Sequence, residues 1–479
     1  MSLKKNIIYN TVYQIFTIML PLITVPYVSR VLGPEGQGKY AYTSAYSQYF
    51  IIIGMIGISL YGNRQIAYVR NDKEKLSKEF INIYTLQLTT TIIAFLVYLL
   101  IFTGINKNDR VLYAIESLVI MASMFDISWF FIGYEDMKSV VVRNTITKVV
   151  GVVLTFIFVK ESSDIIIYAT ILSITTLVGQ IIMFGGLRGK IVFIKPSFKY
   201  ALTHLRPALA LFISQLSIQI YTLLDRTMLG IFTTDAQVGL YDNSQKTIKL
   251  LVTLASSLGI VMLPKMSSLF SQGKDKEFKE TVNRVFKVVN FMSIPMAFGL
   301  LAVADSFSLW FYSDKFAGVS VLLKVGAFIV IAIGWSNILG IQVMLPMKKE
   351  KEFTISVTVG AIVNFVLNLI LIFKLKALGT TIASVAAEFS VTLIQLYFLR
   401  DIIKLSEIMK TVYKPLLGAL AMTLVVWMSS NYLPFNLFGT LAEVSIGIIT
   451  YIVSMLILKD ETIKEVMNQV IVRFSKKGV

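Results

Sequence analysis

Fourteen long apolar runs, separated by short polar stretches, are the feature that most limits what this chain can fold into. Each run is close to the ~20 residues that a helix needs to cross the hydrocarbon core of a bilayer. The runs cover residues 7–32, 38–62, 80–103, 111–133, 139–159, 165–187, 207–230, 236–263, 285–304, 319–345, 353–373, 379–399, 413–431 and 438–458. Hydrophobic residues make up 56% of the chain and charged residues only 15%, a balance that excludes an ordinary soluble protein. The sequence therefore predicts an all-α polytopic membrane protein with about fourteen transmembrane helices.

Several classes of site are excluded by the residues that the chain lacks. It has no cysteine, which excludes disulfides and thiolate metal sites, and its single histidine, His204, argues against a histidine-based metal centre. The net charge of +17 lies in short loops between apolar runs, so we expect a membrane partner and no nucleic acid. The run 7–32 is too long for the apolar part of a signal peptide, so it is expected to be a retained first helix.

Lysine and arginine alternate between rich and poor loops along the whole chain. With the N-terminus placed in the cytoplasm, 32 of the 45 basic residues fall in cytoplasmic segments and 7 in outer loops. An excess of Lys and Arg marks the cytoplasmic loops of membrane proteins, so both termini are predicted to be cytoplasmic. The remaining basic residues lie inside the predicted spans: Arg30, Lys148, Arg226, Lys246, Lys249 and Lys324.

A weak internal repeat relates two parts of the chain. Gly38 matches Gly239 at an offset of 201 residues, and the same offset carries Arg64 onto Lys265. The repeat predicts two pseudo-symmetric six-helix lobes, the second beginning with a linker helix on the membrane surface. Two more helices and a cytoplasmic tail follow. The predicted domains are 1–190, 191–400 and 401–479.

The turn between the first two predicted helices carries the most distinctive local sequence. Gly33, Pro34, Gly36 and Gly38 favour a tight turn there. Arg30 precedes this turn near a helix end. An arginine at that depth is costly unless it faces water, a partner or an anionic ligand.

Basic side chains also follow one face of the eighth predicted helix. Asp242, Lys246 and Lys249 lie at positions i, i+4 and i+7. Two lysines near the middle of a membrane must face water or an anion. The alternative is that Lys246 pairs with Asp242 on its own helix, which would leave Lys249 without a local partner. Arg226 in the seventh helix is an equally open candidate for the same polar cavity.

A second polar group could serve an ion. Asn364 and Asn368 share one face of the eleventh predicted helix, and Glu388 comes to a similar level when the chain folds back at 374–378. Amide and carboxylate oxygens suit a hard cation such as Na⁺, and Asp225 could add a carboxylate. Two alternatives remain: Glu388 carries a proton, or these groups only hydrogen-bond one another.

One structural ion pair is expected outside these sites. Asp126 and Lys148 lie about equally far from the turn near 134–139. They would therefore meet at the same depth on neighbouring helices.

The chain resembles the polysaccharide-export (Wzx-type) branch of the multidrug/oligosaccharidyl-lipid/polysaccharide (MOP) exporter superfamily. The residues that carry the resemblance are Ser29 to Gly38, reading Ser-Arg-Val-Leu-Gly-Pro-Glu-Gly-Gln-Gly, together with Arg64 at the end of the second predicted helix. The layout of fourteen spans with two related lobes agrees with that branch.

The resemblance implies a flippase in the bacterial cytoplasmic membrane. Its substrate would be an undecaprenyl-pyrophosphate-linked oligosaccharide, moved from the inner to the outer leaflet through a cationic cavity by alternating access. We also expect no cofactor, coupling to Na⁺, H⁺ or the membrane potential, a monomer, and work alongside a polysaccharide polymerase and export machinery. Arg30 and Arg64 match basic positions of the family on its first two helices, and Lys249 and Lys265 stand where basic residues of its eighth helix are expected. Together with Arg226 and Lys246 from the polar helix faces, they are the predicted substrate-binding residues.

Four other functions compete with this interpretation. A drug/cation antiporter of the same superfamily is expected to have acidic rather than basic residues in its cavity. A lipid II flippase is expected to have more basic residues in its leading helices than this chain has. An enzyme such as a polymerase would want a large outer loop bearing catalytic side chains, and none is predicted. A scaffold role is not favoured by cations inside the spans. No nucleotide-binding loop of the Gly-x-x-x-x-Gly-Lys-Ser/Thr type is present, so the sequence favours a transporter that does not hydrolyse ATP.

Overall fold

The chain is almost entirely helical in the computed structural model, which describes residues 3–105 and 109–463. The helices of these residues are α1 (Leu3–Met55), α2 (Ile58–Val69), α3 (Lys73–Ile105), α4 (Arg110–Met124), α5 (Ser128–Gly133), α6 (Met137–Phe158), α7 (Ile165–Met183), α8 (Phe198–Thr203), α9 (Leu205–Phe232), α10 (Asp235–Ser271), α11 (Asp275–Tyr312), α12 (Val319–Gly326), α13 (Phe328–Ser336), α14 (Glu350–Phe398), α15 (Leu405–Ser430) and α16 (Leu437–Ile457). Short 3₁₀ turns cover Ser162–Asp164, Phe184–Leu187 and Asp314–Phe316, and a π-helix covers Asn337–Met344.

Two of the longest helices are each interrupted by one residue. Gly33 has φ 67° and ψ −177° inside α1, a backbone conformation open to glycine, and Pro34 follows as the first residue of the next helical stretch, where its missing N–H costs least. Lys376 has φ 50° and ψ −129° inside α14. Both positions lie where the sequence predicts a turn between two spans, and both turns are confirmed.

Ten helical segments of the described residues are long and apolar enough to cross a membrane. One of them, Met19–Val69, includes the break at Gly33, and another, Glu350–Phe398, includes the break at Lys376. The prediction of an all-α multi-pass membrane protein is confirmed, while the number of fourteen spans stays a prediction.

The chain divides into two compact units, Met1–Gly239 and Leu240–Val479. The division falls inside α10, so α9 belongs to the first unit. The predicted domain boundaries at 190 and 400 follow the internal repeat rather than compactness, and they stay a prediction.

The core of the first unit is centred on α5. Trp129, Phe130 and Phe131 are buried there. The indole N–H of Trp129 donates to Oε1 of Gln87 on α3 at 2.8 Å. Nε2 of Gln87 donates to the carbonyl oxygens of Ser123 at 2.8 Å and Asp126 at 2.9 Å. Gln87 therefore satisfies the backbone where α4 gives way to α5, which permits an irregular connection at this depth.

The second unit has a comparable polar link inside an apolar core. The indole N–H of Trp335 on α13 donates to Oδ1 of Asn290 on α11 at 2.6 Å. Nδ2 of Asn290 donates to Oγ1 of Thr411 on α15 at 2.8 Å. Buried residues such as Phe286 and Leu339 surround the link. Hydrogen bonds of this kind join helices where lipid supplies no hydrophobic drive for their association.

The expected linker helix is helical over only six residues, as α8. Before it residues 191–197 form no helix and are held by side chains of α3. The backbone N–H of Val192 donates to Ser77 Oγ at 2.9 Å, and that of Ser197 to Asn82 Oδ1 at 3.0 Å. Pro196 disfavours helix at the residue before it, which helps to explain why the linker does not form one continuous helix.

Candidate functional site

The turn at Gly33 positions Arg30 at its edge. Nε2 of Gln37 donates to Oγ of buried Ser29 at 3.1 Å and so joins the two arms of the turn. The Arg30 side chain is exposed, and its Nη1 donates to the carbonyl oxygen of Pro26 at 2.9 Å. Nearby, Lys39 forms an ion pair with Asp109 that the sequence analysis missed. The turn therefore presents an arginine on a rigid support.

Arg64 on α2 is exposed and lies 6.0 Å above the ring of Tyr61. The Tyr61 hydroxyl forms a 2.7 Å hydrogen bond with Nδ1 of buried His204. Nε2 of His204 lies 3.8 Å from Oε2 of Glu79 on α3. Arg64 is thus backed by a polar network that connects α2, α3 and the linker.

Two groups of this network have shifted proton affinities. The Tyr200 hydroxyl donates to Oε1 of Glu79 at 2.6 Å, and this hydrogen bond, with burial, raises the pKa of Tyr200 to about 12. Burial lowers the pKa of His204, against the attraction of Glu79. The network therefore favours a neutral imidazole and a protonated phenol.

Asp225 and Arg226 lie on α9, in the first unit. The Asp225 side chain is buried and the Arg226 side chain is half-buried. Consecutive residues of a helix point about 100° apart, so this pair divides between the inside of the bundle and a more open face. Oγ1 of the next residue, Thr227, lies 3.2 Å from the hydroxyl of Tyr49 on α1, which anchors this part of α9.

The lysines of α10 have different surroundings in the second unit. Nζ of Lys246 lies 2.7 Å from Oδ2 of buried Asp242. The pairing that the sequence left open as an alternative is therefore present, although 43% of the Lys246 side chain stays exposed. Lys249, one turn further on, and Lys265, which follows the helical Pro264, are both exposed.

The proposed ion-coupling residues of the second unit are buried on the two halves of α14. Nδ2 of Asn368 donates to Oδ1 of Asn364 at 3.2 Å. The halves pack against each other beside them, since a β-carbon on Gly360 would lie 3.3 Å from the carbonyl oxygen of Ala387. Within the described part of the chain, Nδ2 of Asn364 is buried and has no hydrogen-bond partner. Glu388 is 8% exposed and follows Ala387 directly, so the fold-back that the sequence predicts is present.

The expected ion pair between Asp126 and Lys148 is wrong. Asp126 lies in the irregular connection before α5, where its Oδ1 accepts from the N–H of Ser128 at 3.0 Å. Nζ of Lys148 lies 5.2 Å above the ring of Tyr13. Equal distance from the turn did not predict contact, because Asp126 lies outside the helices and its carboxylate binds the first backbone N–H of α5 instead.

Two further polar residues of the first unit were not predicted from the sequence. Nη1 of Arg143 on α6 donates to Oε1 of Gln180 on α7 at 2.9 Å. Arg143 lies at the start of the predicted span 139–159 and was counted with the cytoplasmic loop before it. Glu116 on α4 is 1% exposed and accepts from Ser47 Oγ at 2.9 Å. An acidic residue inside an apolar run is the signal that could have found it.

Comparison with known proteins identifies the family. A family model described as polysaccharide biosynthesis protein matches residues 3–270, which is more than half of the chain. The chain belongs to this family. A relative from Escherichia coli (strain K12), described as a putative O-antigen transporter, is 29% identical to this family member over 434 residues, covering 84% of this chain and 97% of its own. A protein from Shigella dysenteriae with the same description is 24% identical over 400 residues, which cover 82% of this chain and 99% of the relative.

Solved structures show the fold of this family member. A structure of the lipid II flippase MurJ in an inward closed conformation has a TM-score of 0.78 at 18% identity, covering 95% of this chain and 100% of its own. An inward-facing MATE transporter of the MOP superfamily has a TM-score of 0.65 at 14% identity, covering 82% and 96%. The fold of this family member is therefore the one that these two solved transporters share, as the sequence resemblance implied.

Proposed function

We propose that this protein is a flippase for an undecaprenyl-pyrophosphate-linked oligosaccharide. The observation that carries the proposal is its family membership together with relatives described as O-antigen transporters over nearly their whole length. A lipid-linked sugar does not cross unaided, because its diphosphate and hydroxyls would lose hydration in the hydrocarbon. The protein is a transporter and not an enzyme. It provides a polar path through the membrane for the diphosphate and the sugars.

The basic side chains support a route for an anionic head group. Arg30 and Arg64 are exposed on the membrane-spanning segment Met19–Val69. Lys249 and Lys265 are exposed on α10, most of which lies in the predicted span 236–263. Arginine binds phosphate through two parallel hydrogen bonds and lysine as a point charge. Lys246 shares its charge with Asp242, so it contributes a weaker attraction, and Arg226 is the least accessible of the six. Cations of intermediate strength suit a substrate that must also be released.

The direction and the energy source are part of the same proposal. The excess of basic residues in alternate loops supports a cytoplasmic position for both termini in the bacterial cytoplasmic membrane. Asn364, Asn368, Glu388 and Asp225 are proposed to couple an inward ion flow, of Na⁺ or H⁺, to alternating access. The buried amide pair on α14 supports an ion site, since its oxygens are of the kind that hard cations select. We further propose a monomer that passes its product to a polymerase and export machinery.

The competing transport functions are not better supported. A site for a cationic drug is expected to expose carboxylates, whereas on α10 Lys246 and Lys249 are exposed and Asp242 is buried. The likeness to the solved structures of a lipid II flippase and a drug transporter concerns the fold alone.

The test is export of surface polysaccharide by a strain that depends on this protein. The double variant Arg30→Ala/Lys249→Ala is expected to lower export roughly tenfold or more, since a hydrogen bond to a charged group contributes about 1.5–3 kcal/mol. Lys199→Ala, at an exposed position of α8, is the control and should export normally at equal protein level. Undiminished export by the double variant would reject the assigned roles. Failure of the wild type to move lipid-linked oligosaccharide in proteoliposomes would reject the function.

A further inference from the structure

A cavity of about 400 Å³ lies among α1, α6 and α7 in the first unit. This volume is within the ~300–1,000 Å³ range of small-molecule pockets. Its walls carry hydroxyl groups at helical spacing on all three helices. The threonines that line it are Thr17, Thr24, Thr147, Thr155, Thr175 and Thr176.

The cavity lies on the face of α6 opposite the one that suits lipid. Thr147, Gly151 and Thr155 line it at positions i, i+4 and i+8. Ile146 and Val150, on another face of the same helix, are 56% and 43% exposed. The hydroxyl-bearing face of α6 is therefore not its apolar outer surface.

One wall of the cavity has hydrogen-bonding capacity that the protein leaves unused. Oγ1 of Thr17 is buried and has no hydrogen-bond partner among the residues that the structure describes. Pro21, one turn later on α1, also lines the cavity, and because proline has no N–H the carbonyl of Thr17 loses its helical partner. The other threonine hydroxyls donate to their own helices, as Thr155 does to Gly151 at 2.8 Å, and keep acceptor capacity for a ligand.

The charge of the cavity disfavours a cationic ligand. Of its described lining residues none is acidic, and Lys148 is the one that carries a positive charge. Tyr40 and Tyr168 complete the lining with an edge-to-face pair of rings whose centroids are 5.2 Å apart. Hydroxyl donors and acceptors beside aromatic rings suit a sugar, whose ring has both hydroxyls and an apolar C–H face.

We propose that this cavity is a carbohydrate subsite that takes sugar residues of the transported oligosaccharide. The inference rests on the proposed function and deepens it, because it separates recognition of the sugars from the cations that attract the diphosphate. Thr17 and the threonines of α6 and α7 would hydrogen-bond the sugar hydroxyls, with Lys148 at the edge. Such a subsite lets a flippase distinguish oligosaccharides that share one lipid diphosphate.

The absence of cysteine from the 479 residues makes a direct binding test possible. Thr175→Cys places a single thiol in the cavity, and Ser163→Cys, at an exposed position, is the control. The purified full chain is modified with a methanethiosulfonate reagent in the presence of one of two probes. The first is undecaprenyl-pyrophosphate-linked oligosaccharide extracted from cells lacking this protein, and the second is undecaprenyl pyrophosphate without sugar.

The sugar-bearing lipid is expected to slow modification of Thr175→Cys by the factor 1 + [L]/Kd, about tenfold at a concentration about ten times Kd. The sugar-free lipid should leave this rate unchanged, and neither should protect Ser163→Cys. Equal protection by both lipids would assign the cavity to lipid diphosphate and overturn the proposal. Retention of the sugar-bearing lipid by the protein without protection of Thr175→Cys would also overturn it. Absence of any retention would instead count against the proposed function.

Export gives an independent check with a matched pair of variants. A β-carbon on Gly151 would meet nothing closer than 3.4 Å, so Gly151→Phe directs its ring into the cavity. Val150→Phe adds a ring at the neighbouring, exposed position of α6. The Gly151→Phe variant should lose export while Val150→Phe retains it, with thermal midpoints measured to show that both fold. Normal export by folded Gly151→Phe would contradict the subsite.

Discussion

Gly38 and Gly239 pack backbone against backbone, with no room for a side chain between them. A β-carbon on Gly38 would lie 2.7 Å from the amide nitrogen of Gly239, and one on Gly239 would lie 2.0 Å from the carbonyl oxygen of Pro34. These two glycines also match each other in the internal repeat, 201 residues apart. Positions related by the repeat are thus neighbours in the first unit.

Substitution at this contact should destabilise the protein. Gly38→Ala forces the turn and the start of α10 apart, and overpacking of this kind costs roughly 1–3 kcal/mol. The thermal midpoint of the purified protein in detergent should fall. Gly185→Ala is the control, because a β-carbon there would meet nothing within 4 Å. Equal midpoints for the two variants would show that the close approach is not required.

The hydrogen bonds of Gln87 should be important for stability. Gln87→Ala leaves the Trp129 indole N–H and the carbonyls of Ser123 and Asp126 without their partner. The expected cost is about 3 kcal/mol or more, because each buried polar group left unsatisfied costs roughly 1–3 kcal/mol. Thermal unfolding checks this against Gln272→Ala, an exposed glutamine on the surface. A small effect at Gln87 would mean that water replaces the amide.

Glu388 is expected to control the ion dependence of transport. Glu388→Gln keeps the shape of the side chain and removes its charge, so flipping in proteoliposomes should lose its response to an imposed Na⁺ or H⁺ gradient. Glu350→Gln, at the exposed start of the same helix, should respond as the wild type does. If Glu388→Gln retains the full response to both gradients, the buried carboxylate has a structural role only.

His204 should make stability depend on pH on the acidic side. Burial lowers the pKa of His204 below its ordinary 6.5, so the folded state favours the neutral ring while the unfolded state binds a proton more readily. The stabilisation is complete above pH ~6.5 and is lost as pH falls through that value towards the folded pKa. Thermal midpoints between pH 8 and pH 5, a range chosen around the ordinary pKa of about 6.5, should fall less steeply for His204→Gln.

The ion pair between Asp136 and Lys190 should respond to pH in a different range in the same experiment. Although burial opposes it, hydrogen bonding to Lys190 and Ser139 lowers the pKa of Asp136. The contribution of Asp136 to stability is therefore retained until the pH approaches the ordinary pKa of a carboxyl group, which is well below the ordinary pKa of an imidazole. An identical pH slope for wild type and His204→Gln would assign the dependence to other groups.

Much of the architecture could be predicted because its signals are local. The turn at Gly33 is encoded by adjacent glycines and a proline, and the fold-back near Lys376 by a short polar gap between two apolar runs. The helical face that holds Lys246 and Lys249 follows from their spacing alone. The linker was predicted less well, because its non-helical part is held by hydrogen bonds to Ser77 and Asn82 of a distant helix.

The partners of the embedded charges required the tertiary structure. Spacing allowed Lys246 either to pair with Asp242 or to face a cavity, and packing around Asp242 decided for the pair. Lys148 was assigned to Asp126, yet it lies over Tyr13 beside the threonine-lined cavity. Helical periodicity states which residues share a face, but it carries no information about which other helix that face meets.

The sequence by itself determined the class of protein, its membrane-spanning character and its family resemblance, because hydropathy, charge bias and turn motifs act over short stretches of chain. Only the tertiary structure decided where Gly38 and Gly239 meet, which cations are paired, and that six threonines from three helices enclose one cavity. Those relationships depend on how helices far apart in the sequence pack together, and packing is set by the shapes of whole surfaces rather than by any local pattern.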